Sequence, residues 1–112
     1  MTISPKPMMP RDSYNAPIPA LRARNGGAKK GTAGSSSTRI GPFESGTAVI
    51  SIYAPADIRY EVGGDSIVAV LATSHLLAAG ERLVVALRPT DTHIAIIRVG
   101  DADVAVDVSE LE

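Results

Sequence analysis

The sequence contains no cysteine and no tryptophan, and its aromatic residues are three tyrosines and one phenylalanine. Without cysteine the chain cannot form a disulfide, a thiolate zinc site or a thiol nucleophile, which excludes disulfide-rich miniproteins and zinc ribbons. Long apolar runs are also missing, because the longest, such as 67–72 and 83–87, have five or six residues, whereas a membrane helix needs about 20. Prolines interrupt the first ten residues, unlike the apolar core of a secretory signal. We therefore expect no membrane segment and no signal peptide.

The chain of 112 residues is long enough for one compact domain, and its net charge of −1 hides a division. Residues 1–42 carry seven cations and one acid, a net charge of +6. Residues 43–112 carry four cations and eleven acids, a net charge of −7. This asymmetry predicts two parts of the chain with different surroundings.

Residues 1–45 have the composition of an extended arm. Six of the eight prolines lie within 1–42, and residues 25–38 are nearly all small or charged. Such a segment buries too little apolar surface to offset the entropy of ordering, so we expect it to order only on a partner. Its apolar residues are scattered between prolines, which suits a strap laid along a groove, although a disordered tail that binds nothing is the alternative. The expected partner-binding residues are Ile3, Met8, Met9, Tyr14, Ile18, Leu21, Arg22 and Arg24.

From residue 46 onward, short runs of Val, Ile, Ala and Leu alternate with turn-forming residues, the pattern of strands. In 57–62 and in 103–108 apolar and charged residues alternate, which predicts one face in the core and one in solvent. Residues 93–99 are apolar on both faces, as in a covered central strand. The span 74–80 fits either a helical turn or a crossing loop. The six expected strands are 47–53, 57–62, 66–73, 81–88, 92–99 and 103–108.

These strands predict an all-β fold, a small antiparallel β-sandwich or barrel of about six strands over 46–112, preceded by the long extended N-terminal arm. A domain of this size has a marginal core, since chains of about 60 residues bury only about 60% of their unfolded surface. Its strand edges are also open to pairing with other chains. We therefore expect it to act as a dimer, a trimer or a subunit of a larger array.

No motif assembles a catalytic or cofactor site. The glycine-rich segment 26–32 lacks the lysine that must follow the last glycine of a phosphate loop. Asp91, His93 and His75 are conceivable metal ligands, but such residues beside turns are more often ordinary solvated side chains. Ser74 and His75 cannot serve as nucleophile and base with Asp91, because adjacent residues of an extended chain face opposite sides. We expect no enzymatic activity, no cofactor and no metal.

The basic arm also has a poor pattern for nucleic acid. Its cations are never more than two together, and Tyr14 is the one aromatic residue among them. Arms that neutralise phosphates are usually denser in Lys and Arg. An acidic protein surface, such as the body of a neighbouring copy, is the simpler partner.

The organisation of the chain resembles the small capsid decoration proteins, also called cement or staple proteins, of tailed bacteriophages. A Pro/Gly-rich N-terminal arm precedes a compact, cysteine-free β domain, and residues 92–111 are similar to the closing hairpin of small phage virion proteins. The resemblance implies a structural protein, made in the host cytoplasm, that binds the outer capsid surface and clamps neighbouring major capsid proteins. It also implies a dimer or trimer. The alternatives are a tail, adaptor or fibre-anchoring protein of the virion, and a nucleic-acid-binding coat-type protein.

Overall fold

A computed structural model describes residues 22–112, which form two four-stranded sheets and, within this range, no helix. The first six expected arm residues lie in 1–21, outside the described residues. The strands are β1 (Ala23–Ala33), β2 (Thr38–Ile40), β3 (Val49–Tyr53), β4 (Ile58–Gly63), β5 (His75–Leu77), β6 (Arg82–Ala86), β7 (His93–Arg98) and β8 (Val104–Leu111).

The two sheets are antiparallel throughout and pack face to face as a sandwich. The first sheet has the order β1-β8-β3-β6, and the second has the order β2-β7-β4-β5. The chain crosses between the sheets at almost every connection, which brings residues distant in sequence into one core. The predicted small antiparallel β-sandwich is therefore confirmed, with two more strands than expected.

The core lies between the sheets and consists mainly of β-branched side chains. Its central rows come from the four inner strands β3, β4, β7 and β8, because each lies between two neighbours in its sheet. The predicted alternations in 57–62 and 103–108 are both confirmed, and each fully buried Val or Ile contributes roughly 1.5–3 kcal/mol. The main buried side chains are Ile50, Ile52, Ile58, Ile94, Ile96, Val104, Val106 and Val108.

The predicted strand 66–73 is wrong, since this segment forms a loop across the outer face of the second sheet. Ile67 and Ala69 cover Ala95 and Ile97 of β7. The Oγ of Ser37 accepts a hydrogen bond from the backbone N–H of Ala69 at 2.9 Å. The apolar residues of 66–73 therefore cover the outer face of the second sheet. This cover explains why residues 93–99 are apolar on both faces. The ambiguous span 74–80 contains the short strand β5 and no helical turn.

The expected boundary of the arm at residue 45 is also corrected, because residues 23–40 form β1 and β2. β1 runs beside β8 with Lys29 opposite Val108, and β2 runs beside β7. Between Ala23 and Ala28 the register slips, and Gly26 has a φ of 74° in this bulge, a conformation that glycine adopts without steric cost. The low strand propensity of this glycine-rich segment is overridden by its pairing with β8.

Gly31 of β1 lies close to Ile40 of β2, which belongs to the other sheet. A Cβ added at this position would lie 2.6 Å from Cγ1 of Ile40, which is itself buried. We expect Gly31→Val to lower the free energy of unfolding by about 2–3 kcal/mol through overpacking. Gly34→Ala is the matched control, since its Cβ would meet nothing closer than 3.6 Å. Urea unfolding of both variants checks this, and equal stabilities would contradict the close approach.

The position of β1 and β2 also predicts how the chain responds to truncation. Removal of residues 1–21 leaves all eight strands in place, so we expect a cooperative thermal transition close to that of the full chain. Removal of residues 1–40 deletes β1 and β2 and exposes the buried rows of β8 and β7, so we expect loss of the transition and aggregation. Circular dichroism during heating distinguishes the two truncations. If the chain without residues 1–40 folds, β1 and β2 are not needed for the fold, and the expected boundary at residue 45 is correct.

Candidate partner-binding end of the sandwich

One end of the sandwich holds the point at which residues 1–21 join the fold. The register places Ala23 opposite Leu111, Leu111 opposite Val49, and Val49 opposite Ala86. Arg22 and Glu112 exchange two backbone hydrogen bonds at 3.0 and 2.8 Å. We call the residues gathered here, 22–24, 43–49, 86–92 and 110–112, the arm end.

Arg22 and Arg24, the two expected anchors within the described residues, both point to the carboxylate of Glu112. The nitrogen–oxygen distances are 3.7 Å for Arg22 and 3.9 Å for Arg24. The side chain of Arg22 is 68% exposed, and an ion pair this exposed contributes about 0–1 kcal/mol. The arm end therefore displays an arginine that a partner can reach, beside a carboxylate that partly balances its charge.

Glu110 is the residue that organises the arm end, and sequence reasoning missed it. It continues the inward row of Val106 and Val108 and is fully buried. Its Oε1 accepts hydrogen bonds of 2.6 Å from the backbone N–H of Glu44 and from Oγ1 of Thr47. Its Oε2 lies 3.5 Å from Nζ of Lys29 on β1. A single carboxylate thus connects β8, β1 and the 43–47 segment that crosses from one sheet to the other.

Ionisation of Glu110 is favoured in spite of its burial. Burial raises the pKa, but the hydrogen bonds from Thr47 and Glu44 and the nearby Lys29 ammonium outweigh it and lower the pKa below its usual value. A buried charge is tolerated only when it is paired and hydrogen-bonded. The Lys29 side chain, 27% exposed, keeps part of its hydration while it supplies this countercharge. The inward-facing positions 104, 106 and 108 follow every second residue, and the next position in this series is 110. This pattern in the sequence could have predicted that Glu110 is buried.

A cleft of about 550 Å³ opens at the arm end, between the 43–48 and 87–92 segments. Phe43, Leu87 and Pro89 give it an apolar wall, and Thr47, a partner of Glu110, lies at its edge. The backbone N–H of Phe43 donates to the carbonyl of Thr92 at 2.9 Å and joins the two sides. The cleft is open to solvent and lies at the same end as Arg22. The charged residues Glu44, Arg88 and Asp91 also line it.

The conceivable metal or catalytic residues are not brought together. The His75 ring lies 5.5 Å from the Tyr60 ring, whereas Nδ1 of His93 lies 2.8 Å from Oγ1 of Thr92. A carboxylate oxygen of Asp91 accepts a hydrogen bond from the backbone of its own turn at 2.8 Å. Within residues 22–112, no three acidic or histidine side chains form a group suited to a metal ion. In the same range, no helix has the length and apolar character needed to span a membrane.

The Glu110 network predicts a large difference between two neighbouring carboxylates. Glu110→Gln should lower the free energy of unfolding by about 2–4 kcal/mol, because it leaves Lys29 without its countercharge and turns an amide toward it. Glu112→Gln is the matched control, because its side chain is 43% exposed, and we expect a change below about 1 kcal/mol. Chemical denaturation measures both. Equal effects would show that Glu110 is not the organising residue.

The same network predicts a specific dependence on pH. The pKa of Glu110 is lower in the folded chain than in the unfolded chain, where it is about 4.3. Its stabilising contribution is therefore complete above about pH 4.3 and is lost as pH falls through the folded-state pKa. The stability difference between the natural chain and Glu110→Gln should narrow as pH is lowered from about 5 to about 3. Denaturation curves across this range test it, and a constant difference would contradict it.

Comparisons with protein-family models, with curated proteins and with solved structures found no match to this chain.

Proposed function

We propose that this chain is a structural virion protein that binds the outer surface of a capsid and cements neighbouring major capsid proteins. The observation that carries the proposal is the arm end, where residues 1–21 join a small β-sandwich beside an open cleft and an exposed arginine. In this arrangement the sandwich is the body that sits on the shell, and residues 1–21 reach an adjacent subunit. At about 3.3 Å per residue, 21 extended residues span up to roughly 70 Å.

Because residues 23–40 form β1 and β2, the expected arm separates into residues 1–21 and a part that belongs to the sandwich. All six apolar residues expected to bind a partner lie in residues 1–21, whereas most of the arm's cations lie in 22–39. Residues 1–21 carry Lys6, Arg11 and Asp12, a net charge of +1. Apolar side chains between prolines therefore dominate this segment, which supports a protein groove as its binding site.

The same division disfavours a nucleic-acid-binding coat-type protein. Lys29 lies against Glu110, and both Arg22 and Arg24 face Glu112. These two carboxylates partly offset the charge of the three cations, which weakens their attraction for phosphate. Two cations in residues 1–21 release few counterions, whereas strong nucleic-acid binding usually uses about 6–10 phosphate contacts. The tail, adaptor or fibre-anchoring alternative shares the same binding mode and differs only in location on the particle.

The experiment uses particles assembled without this chain, from a phage genome that encodes it with the gene deleted. Purified full-length chain is added back, and the particles are sedimented and imaged by electron microscopy. We expect regular density on the shell with the full chain and its loss when residues 1–21 are removed. Density on the tail would favour the alternative virion role, and absence from every particle would overturn the proposal.

Paired variants separate apolar from ionic binding. Tyr14→Ser combined with Ile18→Ser should weaken particle binding at least about tenfold, since each buried apolar side chain contributes on the order of 1.5–3 kcal/mol. Lys6→Ala combined with Arg11→Ala should change it only a few-fold. Raising salt from about 50 to about 200 mM should likewise cost less than tenfold. A steep salt dependence, with the lysine and arginine variant affected most, would point to nucleic acid instead.

A further inference from the structure

Within residues 22–112, the edge strand β6 of the first sheet has no neighbour on its outer side along its full length. It pairs with β3 on one side only. The backbone N–H of Leu87 donates to the carbonyl of Ala48 at 2.7 Å. Since the direction of backbone groups alternates along a strand, the N–H and C=O groups of residues 83 and 85 also point toward β3. The N–H and C=O groups of Arg82, Val84 and Ala86 therefore point away from the sheet.

Strand β6 is apolar on its inner face and, apart from Arg82, on its outer face as well, which is unusual at an exposed edge. Leu83 and Val85 pack against the core but remain half-buried, and Val84 on the outer face is 57% exposed. Edge strands of soluble proteins are usually shortened, bulged, or marked by proline or lysine to prevent pairing. Within β6 there is no proline, lysine or glycine, and its one charged residue, Arg82, is held against Ser51 and the Tyr53 ring of its own sheet. Such an edge is a template for another strand.

The other three edges of the described sheets are protected. β1 carries a bulge and the side chains of Lys29 and Lys30. β2 and β5 have three residues each. β2 is further flanked by the 67–69 loop, which bonds to Ser37 at 2.9 Å. The open edge is thus confined to β6, on the side of the first sheet opposite β1 and the point where residues 1–21 join.

We propose that β6 pairs antiparallel with β6 of a second copy of this chain, about a two-fold axis at Val84. The inference stands on this edge and does not rest on the proposed capsid function. The outward-facing residues must meet one another, which pairs Val84 with Val84 of the partner and Arg82 with Ala86 of the partner. This register makes about six backbone hydrogen bonds and joins the two first sheets into one of eight strands.

The register is self-complementary in charge as well as in shape. No two like charges face each other, since each Arg82 stands opposite an alanine. The two Arg82 residues are four strand positions apart, about 13 Å, beyond the screening length of about 8 Å at physiological salt. Each Arg82 is also held by its own chain, where it donates to Oγ of Ser51 at 2.9 Å and lies 5.5 Å from the Tyr53 ring centre. The half-buried Leu83 and Val85 gain cover on the inner side.

Sedimentation equilibrium of the full chain and of residues 22–112 tests the interface. We expect dimers of both, and we expect Val84→Lys to weaken dimerisation at least about tenfold by facing two ammonium groups across the axis. Val68→Lys is the matched control, since Val68 is 52% exposed in the loop that covers the other sheet, and it should leave the dimer intact. Circular dichroism confirms that both variants are folded. A monomeric natural chain, or dissociation by Val68→Lys with Val84→Lys unaffected, would overturn the proposal.

Cysteine crosslinking reads the register directly, because the chain has no cysteine of its own. Val84→Cys should give a disulfide-linked dimer under mild oxidation, since Cα atoms of facing residues lie about 5.5 Å apart. Ala86→Cys should not, because its partner is residue 82. Crosslinking at 86 with none at 84 would overturn the two-fold register. A full chain that is monomeric while residues 22–112 dimerise would show that the N-terminal segment covers β6, and would overturn the proposal as well.

Discussion

The pairing of β1 with β8 is the interaction on which the rest of the structure depends. β8 lies between β1 and β3 in the first sheet, and its inward row runs Val104, Val106, Val108 and Glu110. The three valines fill the core, and the fourth position carries a charge. That charge is tolerated because Lys29 of β1 and two hydrogen-bond donors of the 43–47 segment meet it. At this end of the sandwich, the pairing of β1 with β8 therefore also places the countercharge beside Glu110.

The fold class and much of the core could be predicted from sequence because period-two alternation reports directly on burial. Ile58, Tyr60 and Val62 pack inward as expected, and so do the valines of β8. The apolar pattern of 66–73 was misleading, since a segment that covers a sheet face needs apolar residues as much as a strand does. Periodicity alone cannot distinguish a strand within the sheet from a loop lying on it. The difference depends on hydrogen bonds from the backbone N–H of Ala69 to Ser37, which is 32 residues away, and from the backbone N–H of Val70 to Ser74 just after the segment.

β1 was missed for a different reason. Its glycines and lysines are poor strand formers, and composition alone assigns them to a flexible arm. In the structure these residue types meet particular requirements: Gly31 permits the close approach of Ile40, and Lys29 neutralises Glu110. The division of charge between the two parts of the chain is real, but the structure gives the positive charge a role other than the expected binding of a partner. Part of the positive charge serves the acidic body of its own chain, and residues 1–21 are left with a net charge of only +1.

The first sheet is asymmetric in a way that connects the two proposals. One edge, β1, is bulged and lysine-bearing and follows residues 1–21, while the other edge, β6, is unpaired within the described residues and mostly apolar. Pairing through β6 would leave both β1 edges at the outside of an eight-stranded sheet, so that each dimer would carry two N-terminal segments, one joined to each outer strand. If each segment binds a groove of modest affinity, the second binding event becomes intramolecular and strengthens attachment by roughly 10²–10⁴-fold without any new contact. A repeating protein lattice supplies grooves at fixed spacing, whereas an isolated subunit supplies one. Two-fold pairing at β6 would therefore give the chain a preference for an assembled surface over its free components.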